Sequence, residues 1–293
     1  GNYKRFLFAP STFTGGLEYQ HNALHDIMVG YQRDMMQDVR IASAFVQNEW
    51  KLRDFTLLAG GRMDKHNLIK NPILSPRVNL LYKPQDKFQA RVTYSTGFRA
   101  PQAYDEDLHV TAVGGEGVLI KLADGLREER SNSFSGSVDY TTSFGHWQAN
   151  VLVEGFYTGL NNVFVLEDIG HDANGYAIKE RRNGSGARVY GANLDAKIAH
   201  GKEAVLSLGF TAQRSRYNQP EEWSEGQFTS RMMRTPDYYG YFTFTSAPVK
   251  NFDFSLSGTY TGEMIVPHYA GYIVEDRLET TPHFFDLNLK LNY

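Results

Sequence analysis

The sequence predicts an all-β fold, a transmembrane antiparallel up-and-down β-barrel, on three observations. Apolar and polar residues alternate with period two in segment after segment. Short turns and long connections alternate between those segments. Tyr, Phe and Gly number 18, 19 and 27 of 293 residues, a composition that suits sheet. No stretch approaches the ~18 uninterrupted apolar residues of a membrane helix. A barrel that places lipid-facing and lumen-facing residues on alternate positions nevertheless keeps an ordinary mean hydropathy, here −0.44.

The strands follow in chain order. Alternation runs through Phe13 to Tyr19, less regularly through Ala42 to Trp50, then through Phe55 to Met63, Val78 to Tyr82 and Phe88 to Tyr94. It resumes in Phe134 to Tyr140, Trp147 to Tyr157, Ala192 to Ile198 and Ala204 to Ala212, and less regularly in Tyr238 to Thr245. In 252–261 one face reads Phe, Phe, Leu, Gly, Tyr and the other Asp, Ser, Ser, Thr, Thr. In the last segment Phe285, Leu287, Leu289, Leu291 and Tyr293 oppose Asp286, Asn288, Lys290 and Asn292. This makes about 12 strands, each near the ~9–11 residues with which a tilted strand spans a bilayer.

Tight turns are expected at 51–54, 84–87, 143–146, 200–203 and 248–251, with long connections at about 24–38, 66–74, 99–128, 160–186, 216–232 and 265–282. Barrels of bacterial outer membranes keep short turns at the periplasmic end and long loops outside, which would put both termini on the periplasmic side. A soluble β-sandwich would also alternate, with its apolar face inward. The membrane is favoured by a polar face rich in small uncharged residues (Ser133, Ser135, Ser137, Asn150, Ser255, Ser257, Thr259). Aromatic residues near strand ends, such as Trp50, Tyr82, Trp147, Tyr238, Tyr260, Phe285 and Tyr293, add to this as interfacial girdles.

Composition limits the function classes. With 30 Lys+Arg against 33 Asp+Glu, a net charge of −3 and no basic arm, the chain lacks the footprint of a nucleic-acid binder. The absence of cysteine excludes a disulfide framework, a Cys-ligated metal site and a thiol nucleophile. Gly1-Asn2-Tyr3-Lys4-Arg5 has no signal-peptide apolar region, so a processed or partial chain is expected. No G-x-S-x-G or H-E-x-x-H occurs, and Gly114-Gly115-Glu116-Gly117 lacks the Lys-Ser/Thr of a phosphate loop. An enzyme is not expected.

Three runs carry a resemblance: Leu74-Ser75-Pro76-Arg77-Val78-Asn79, then Arg91 to Pro101 ending in Gly97-Phe98-Arg99-Ala100-Pro101, then Leu126-Arg127-Glu128-Glu129-Arg130-Ser131. The second resembles the FRAP box of TonB-dependent outer-membrane receptors and the third the start of the strand that follows it. The likeness continues through 153–157, 181–186 and 257–262 and covers nearly all of the chain. It is closest to Bacteroides-type receptors for vitamin B12, siderophores and related metal chelates.

The resemblance implies a bacterial outer-membrane location and, over residues 1–293, a partial barrel of about 12 strands out of roughly 22. The family's plug domain and TonB box are absent from this sequence. It further implies a metal-chelate ligand (corrinoid, siderophore or haem), a TonB-type energiser acting through the plug, and contact with lipid bilayer and lipopolysaccharide. A surface lipoprotein is a further implied partner. In that family Arg77, Phe98, Arg99 and Pro101 are motif scaffold. Alternatives are a plug-less passive channel, a small self-contained barrel enzyme such as a lipase, for which Phe285 to Tyr293 would be the closing strand, and a soluble all-β binding module.

Ligand chemistry is expected in the long connections. His109 falls where haem-uptake members carry an axial histidine, although the accompanying Asn-Pro-x-Leu reads here as Ala123-Asp124-Gly125-Leu126, which leaves an ordinary loop histidine as the other reading. Asp105, Glu106 and Asp107 offer carboxylates to a divalent cation such as calcium, or form the acidic first turn of a helix over 105–110. No intrinsic cofactor is expected. Arg181 and Arg182 suit an anionic chelate or lipid phosphate, or pairing with Glu180 and lumen carboxylates. Met264, His268, Tyr269 and Tyr272 suit stacking on a flat macrocycle or catecholate, or plain loop packing. Arg62, Asp64, Arg77, Arg91 and Arg99 fall on the polar face as lumen charges.

Overall fold

The computed structural model describes residues 2–6, 9–29, 33–101, 118–171, 173, 175, 177–224, 226–271 and 273–293. The chain runs as β1 (Asn2–Phe6), β2 (Ala9–Met28), β3 (Arg33–Leu52), β4 (Phe55–His66), β5 (Ile73–Gln85), β6 (Phe88–Arg99), β7 (Val118–Leu122), β8 (Glu129–Phe144), β9 (Trp147–Asn161) and β10 (Phe164–His171). It continues as β11 (Ala177–Asn183), β12 (Ala187–His200), β13 (Ala204–Ser224), β14 (Gln227–Arg231), β15 (Tyr238–Val249), β16 (Phe252–Thr261), β17 (Ile265–His268), β18 (Arg277–Thr280) and β19 (Phe284–Asn292). Fourteen strands make one sheet in the order β1-β2-β3-β4-β5-β6-β8-β9-β12-β13-β15-β16-β19, with β14 added to β13. Its pairings are antiparallel, and among the described residues the sheet is open between β1 and β19. All twelve expected strands are present. β1 is an addition: it pairs with the start of β2, so the chain descends to the tight-turn end before rising into the wall.

Directly opposed residues of a ladder share a face, so the register sorts side chains without ambiguity. Val153 opposes Val138 and Leu194, and Leu194 opposes Phe210. One residue along, Glu154 opposes Ser137 and Asn193, and Asn193 opposes Thr211. The apolar row is the open one: Val153, Val138, Leu194 and Phe210 are all exposed, and no described residue packs over them. Among the described residues buried apolar side chains are few by contrast, and include Ile69, Ile73 and Ala100 at one loop. A soluble sandwich would bury the apolar rows between two sheets; here one sheet turns them outward, which is stable only against hydrocarbon.

Aromatic rings border that band. Near the tight turns Phe55 stacks on Tyr82 at 4.7 Å and Trp147 meets His200 at 4.7 Å. Toward the other end Tyr94 lies 4.7 Å from Phe134, Tyr157 6.5 Å from Tyr190, and Tyr260 4.9 Å from Phe285. From Trp147 to Tyr157, ten steps of about 3.3 Å on a strand tilted by about 40° span about 25 Å, the height of an outer-membrane apolar band.

Two expected loops prove to be strand over much of their length. β2 and β3 are 20 residues each and β13 is 21. Their upper halves carry charged cross-strand contacts, such as His25 to Asp34 at 2.7 Å and His21 to Asp38 at 3.3 Å. Above the bilayer neither face must be apolar, so apolar periodicity ends before the ladder does.

The lumen face is held by polar side chains that bridge strands. Arg62 on β4 donates to Glu18 on β2 at 2.8 Å, to the Ser43 hydroxyl on β3 at 2.7 Å and to Asp64 at 2.7 Å. Ser43 in turn donates to Asp64 at 2.6 Å, and Asp64 is 2% exposed. Gly191 on β12 is needed for close approach. A Cβ there would fall 2.2 Å from the Ala212 carbonyl oxygen and 2.8 Å from Gln213 Cα, both backbone atoms of the neighbouring strand. Gly191→Val is expected to cost about 1–3 kcal/mol through overpacking. Gly136→Ala, whose nearest such contact is 3.9 Å away, should be near neutral. Urea titration of the folded barrel separates the two.

Candidate loop cluster at the barrel mouth

Four of the long connections, 99–128, 160–186, 216–232 and 265–282, meet at the end opposite the tight turns. The connection after β6 contains β7 and the connection after β9 contains β10 and β11; they join in a separate sheet, β10-β11-β7, in which β11 and β7 run parallel. Asn183 pins the joint. Its amide donates to the carbonyls of Arg127 at 2.9 Å and Asn162 at 2.8 Å, and its side-chain oxygen accepts from the Arg127 N–H at 2.9 Å.

The motif residues Phe98 to Pro101 build the base of this cluster. Phe98 packs on the Ile69, Ile73 and Ala100 cluster, and Pro101 is buried. Arg99 donates to Glu129 at 2.6 Å, while the other oxygen of Glu129 accepts from the Phe164 N–H, so one carboxylate ties β6, β8 and β10 together. Arg99 and Arg181 flank the Phe164 ring, at 5.0 and 6.0 Å. Arg181 is only 3% exposed, a buried cation packed inside the loop sheet. Arg182 pairs with Glu167. Arg77 stays exposed on the lumen wall, opposite Ser95 and Gly60.

The last long connection adds the hairpin β17–β18. Tyr269, just past β17, has Trp223 of β13 at 6.2 Å and the Lys179 ammonium of β11 at 5.8 Å over its ring. Burial holds the Tyr269 hydroxyl above the ordinary tyrosine range, with Arg234 acting in the opposite sense and Asp276 in the same one. Asp276 accepts from the Ser224 hydroxyl and, at 2.6 Å, from the Ala270 N–H; these bonds, with the charge of Lys179 nearby, hold its carboxyl below the usual range. Gln227 donates to the Asp276 carbonyl at 2.7 Å. His268 lies 3.1 Å from Glu279, and Arg277 donates to the same carboxylate, which is held low by Arg277 first and His268 second.

Lys179, Trp223, Tyr269 and Asp276 thus come from three connections to one place, with a cation, two aromatic faces and a carboxylate. Of the residues expected at the site, Tyr269 stands in this cluster, His268 beside it in the β17–β18 hairpin, and Arg181 beneath the loop sheet. His109, Asp105, Glu106, Asp107 and Tyr272 lie outside the described residues. Among the described residues no group of three or more His, Asp or Glu side chains is placed to hold a metal. Lys179 and Trp223 were not among the residues the sequence singled out. A tryptophan far from either girdle position was the available signal.

Comparison with known proteins agrees with this architecture. Residues 2–293 match the family model described as TonB dependent receptor-like, beta-barrel. The chain is 29% identical over 217 residues to an iron-regulated outer membrane virulence protein of Vibrio cholerae, covering 71% of this chain and 32% of that protein. Among solved structures it resembles the siderophore receptor PirA from Acinetobacter baumannii, with TM-score 0.71, 16% identity, and coverage of 97% of this chain and 46% of that one. A mutant of the ferric enterobactin receptor PfeA from Pseudomonas aeruginosa, in complex with enterobactin, aligns with TM-score 0.71, 17% identity, and coverage of 97% and 44%. The chain therefore spans about a third of the curated relative and under half of each solved chain.

Proposed function

Because the chain belongs to the TonB-dependent receptor β-barrel family, whose home is the bacterial outer membrane, we propose that it forms the capture face of an active-uptake receptor for an anionic ferric chelate. One observation carries this reading. The long connections join at a single end, where Lys179, Tyr269 and Trp223 present a cation and two aromatic faces together. Aromatic rings and a cation suit a flat, electron-rich, negatively charged ligand, such as an iron(III) catecholate, through stacking and charge-assisted hydrogen bonds. The siderophore and enterobactin receptors that share the fold support an iron chelate over a corrinoid or haem. The passive-channel and lipase alternatives gain no support from these relatives. In this reading the barrel supplies loops and wall, a plug closes the lumen, and a TonB-type energiser opens it; the chain performs no covalent step.

The test is made in the full-length receptor, with the connections 99–128, 160–186 and 265–282 shortened one at a time. Binding of an iron(III) tricatecholate is expected to weaken at least tenfold in each. Lys179→Ala or Tyr269→Ala should each weaken it about tenfold, which corresponds to roughly 1.4 kcal/mol for the side chain removed. Heat-modifiable electrophoresis checks that the barrel assembles. Unchanged affinity in every variant would place binding in the lumen or plug.

A further inference from the structure

We propose that His66, at the loop end of β4, is an acid-operated latch: the neutral ring holds the connection 67–72 closed over the root of the 99–128 connection, and protonation releases it. This rests on the barrel assignment and is independent of the cargo.

His66 is 1% exposed. It follows Arg62 and Asp64 on the lumen face, and β3 opposes it with Ile41. Its Nδ1 accepts a hydrogen bond from the Leu68 N–H at 3.0 Å, and its carbonyl accepts one from the Ile69 N–H at 3.2 Å. A ring that accepts at Nδ1 carries its proton on Nε2, and Nε2 is buried with no partner among the described residues. Only the neutral ring can close this turn. Imidazolium donates from both nitrogens, so protonation would set an N–H against the Leu68 N–H. A second partner is close by for the charged ring. Asp64 accepts from Arg62 and Ser43 through one carboxylate oxygen, at 2.7 and 2.6 Å, while its other oxygen is buried and unpartnered among the described residues. The ring thus has two arrangements: neutral against the Leu68 N–H, or charged and turned toward Asp64.

The turn fastened by His66 holds more than itself. The Asn67 N–H donates to the Arg40 carbonyl at 3.0 Å, its side-chain oxygen accepts from the Arg40 N–H at 3.0 Å, and its amide donates to the Asp38 carbonyl at 2.8 Å. Lys65 donates to the carbonyls of Ile69 and Lys70 at 3.0 and 2.8 Å. Buried Ile69 clusters with Ile73 and Ala100, and Phe98 packs on the three, so the turn covers the residues from which the 99–128 connection departs. The charged groups around His66 are Asp64, Arg62 and Glu18 on the lumen face, Lys70 in the turn, and Lys65, Arg40 and Asp38 on the outward side. Those outward charges place this end of β4 above the hydrocarbon. There, burial holds His66 below the ordinary histidine range. Closure is therefore fully favoured above the ordinary histidine value of about 6.5 and is lost as pH falls below it.

The test uses the full-length receptor in liposomes without ligand, so its outcome is separate from that of cargo capture. A nitroxide on Lys70→Cys reports the turn, and one on Lys250→Cys, in a tight turn at the opposite end, is the control. Electron paramagnetic resonance follows both between about pH 8 and about pH 5. The turn label should be immobile at the alkaline end and its mobile fraction should rise several-fold on acidification, with the control unchanged. His66→Asn, whose side-chain oxygen can accept from the Leu68 N–H in place of Nδ1 and does not titrate, should stay immobile throughout. Heat-modifiable electrophoresis checks assembly; if His66→Asn fails to assemble, the wild type still decides. A turn label indifferent to pH in the wild type, a transition retained in His66→Asn, or an equal change at the control position would each overturn the proposal.

Discussion

Replacing Val153 with Arg is expected to cost the barrel about 2–4 kcal/mol in lipid, the penalty of a cation facing hydrocarbon near the bilayer midplane. Val153 is half exposed on the outward row with Val138 and Leu194, and lies midway between the girdle residues Trp147 and Tyr157. Its neighbour Glu154 faces the lumen with Ser137 and Asn193. Glu154→Gln should therefore change stability by no more than about 0.5 kcal/mol. Urea titration of liposome-folded receptor compares the two. Equal effects would mean that the faces are assigned the wrong way round or that no hydrocarbon is met.

The second large effect is expected inside the wall. Arg62→Met removes the cation that joins Glu18, Ser43 and Asp64, leaving a carboxylate that is 2% exposed without its counter-charge. Breaking a buried pair costs about 3–5 kcal/mol; since the Arg62 side chain is 37% exposed, about 2–3 kcal/mol is expected. Arg62→Met/Asp64→Asn should recover most of that stability, since the orphaned charge is then gone. A double-mutant cycle measures the coupling, and additive effects would show that the two groups do not act together.

The membrane wall was legible in the sequence because lipid imposes period two. Segments such as Trp147 to Tyr157 and Phe252 to Thr261 must present an apolar residue at every second position, and each expected strand falls in one of the twelve long strands of the sheet. Beyond the bilayer that constraint lapses. The upper halves of β2 and β3 mix His21, His25, Asp26, Asp34, Asp38 and Arg40 with Leu24, Ile27 and Met36 in no period-two order, and their pairing carries contacts such as His25 with Asp34. The parallel pairing of β7 with β11 joins residues about 60 apart with no apolar pattern to announce it. Arg181 reads as a surface cation until β10 and Phe164 cover it. Tyr269 was visible as a loop aromatic; its partners Lys179 and Trp223 were not, because only the folded loops bring them together.

Trp223 is placed to report ligand capture at the loop cluster. The chain has three tryptophans; Trp50 and Trp147 sit at the tight-turn end, and Trp223 stands 6.2 Å from Tyr269 in the loop cluster. An iron(III) tricatecholate absorbs light and quenches nearby indole emission. Titrated into the full-length receptor, it should quench the protein fluorescence saturably, and Trp223→Phe should abolish most of that change while leaving the barrel assembled. Saturable binding whose quenching is the same with and without Trp223, or no binding at all, would contradict capture at the converging loops.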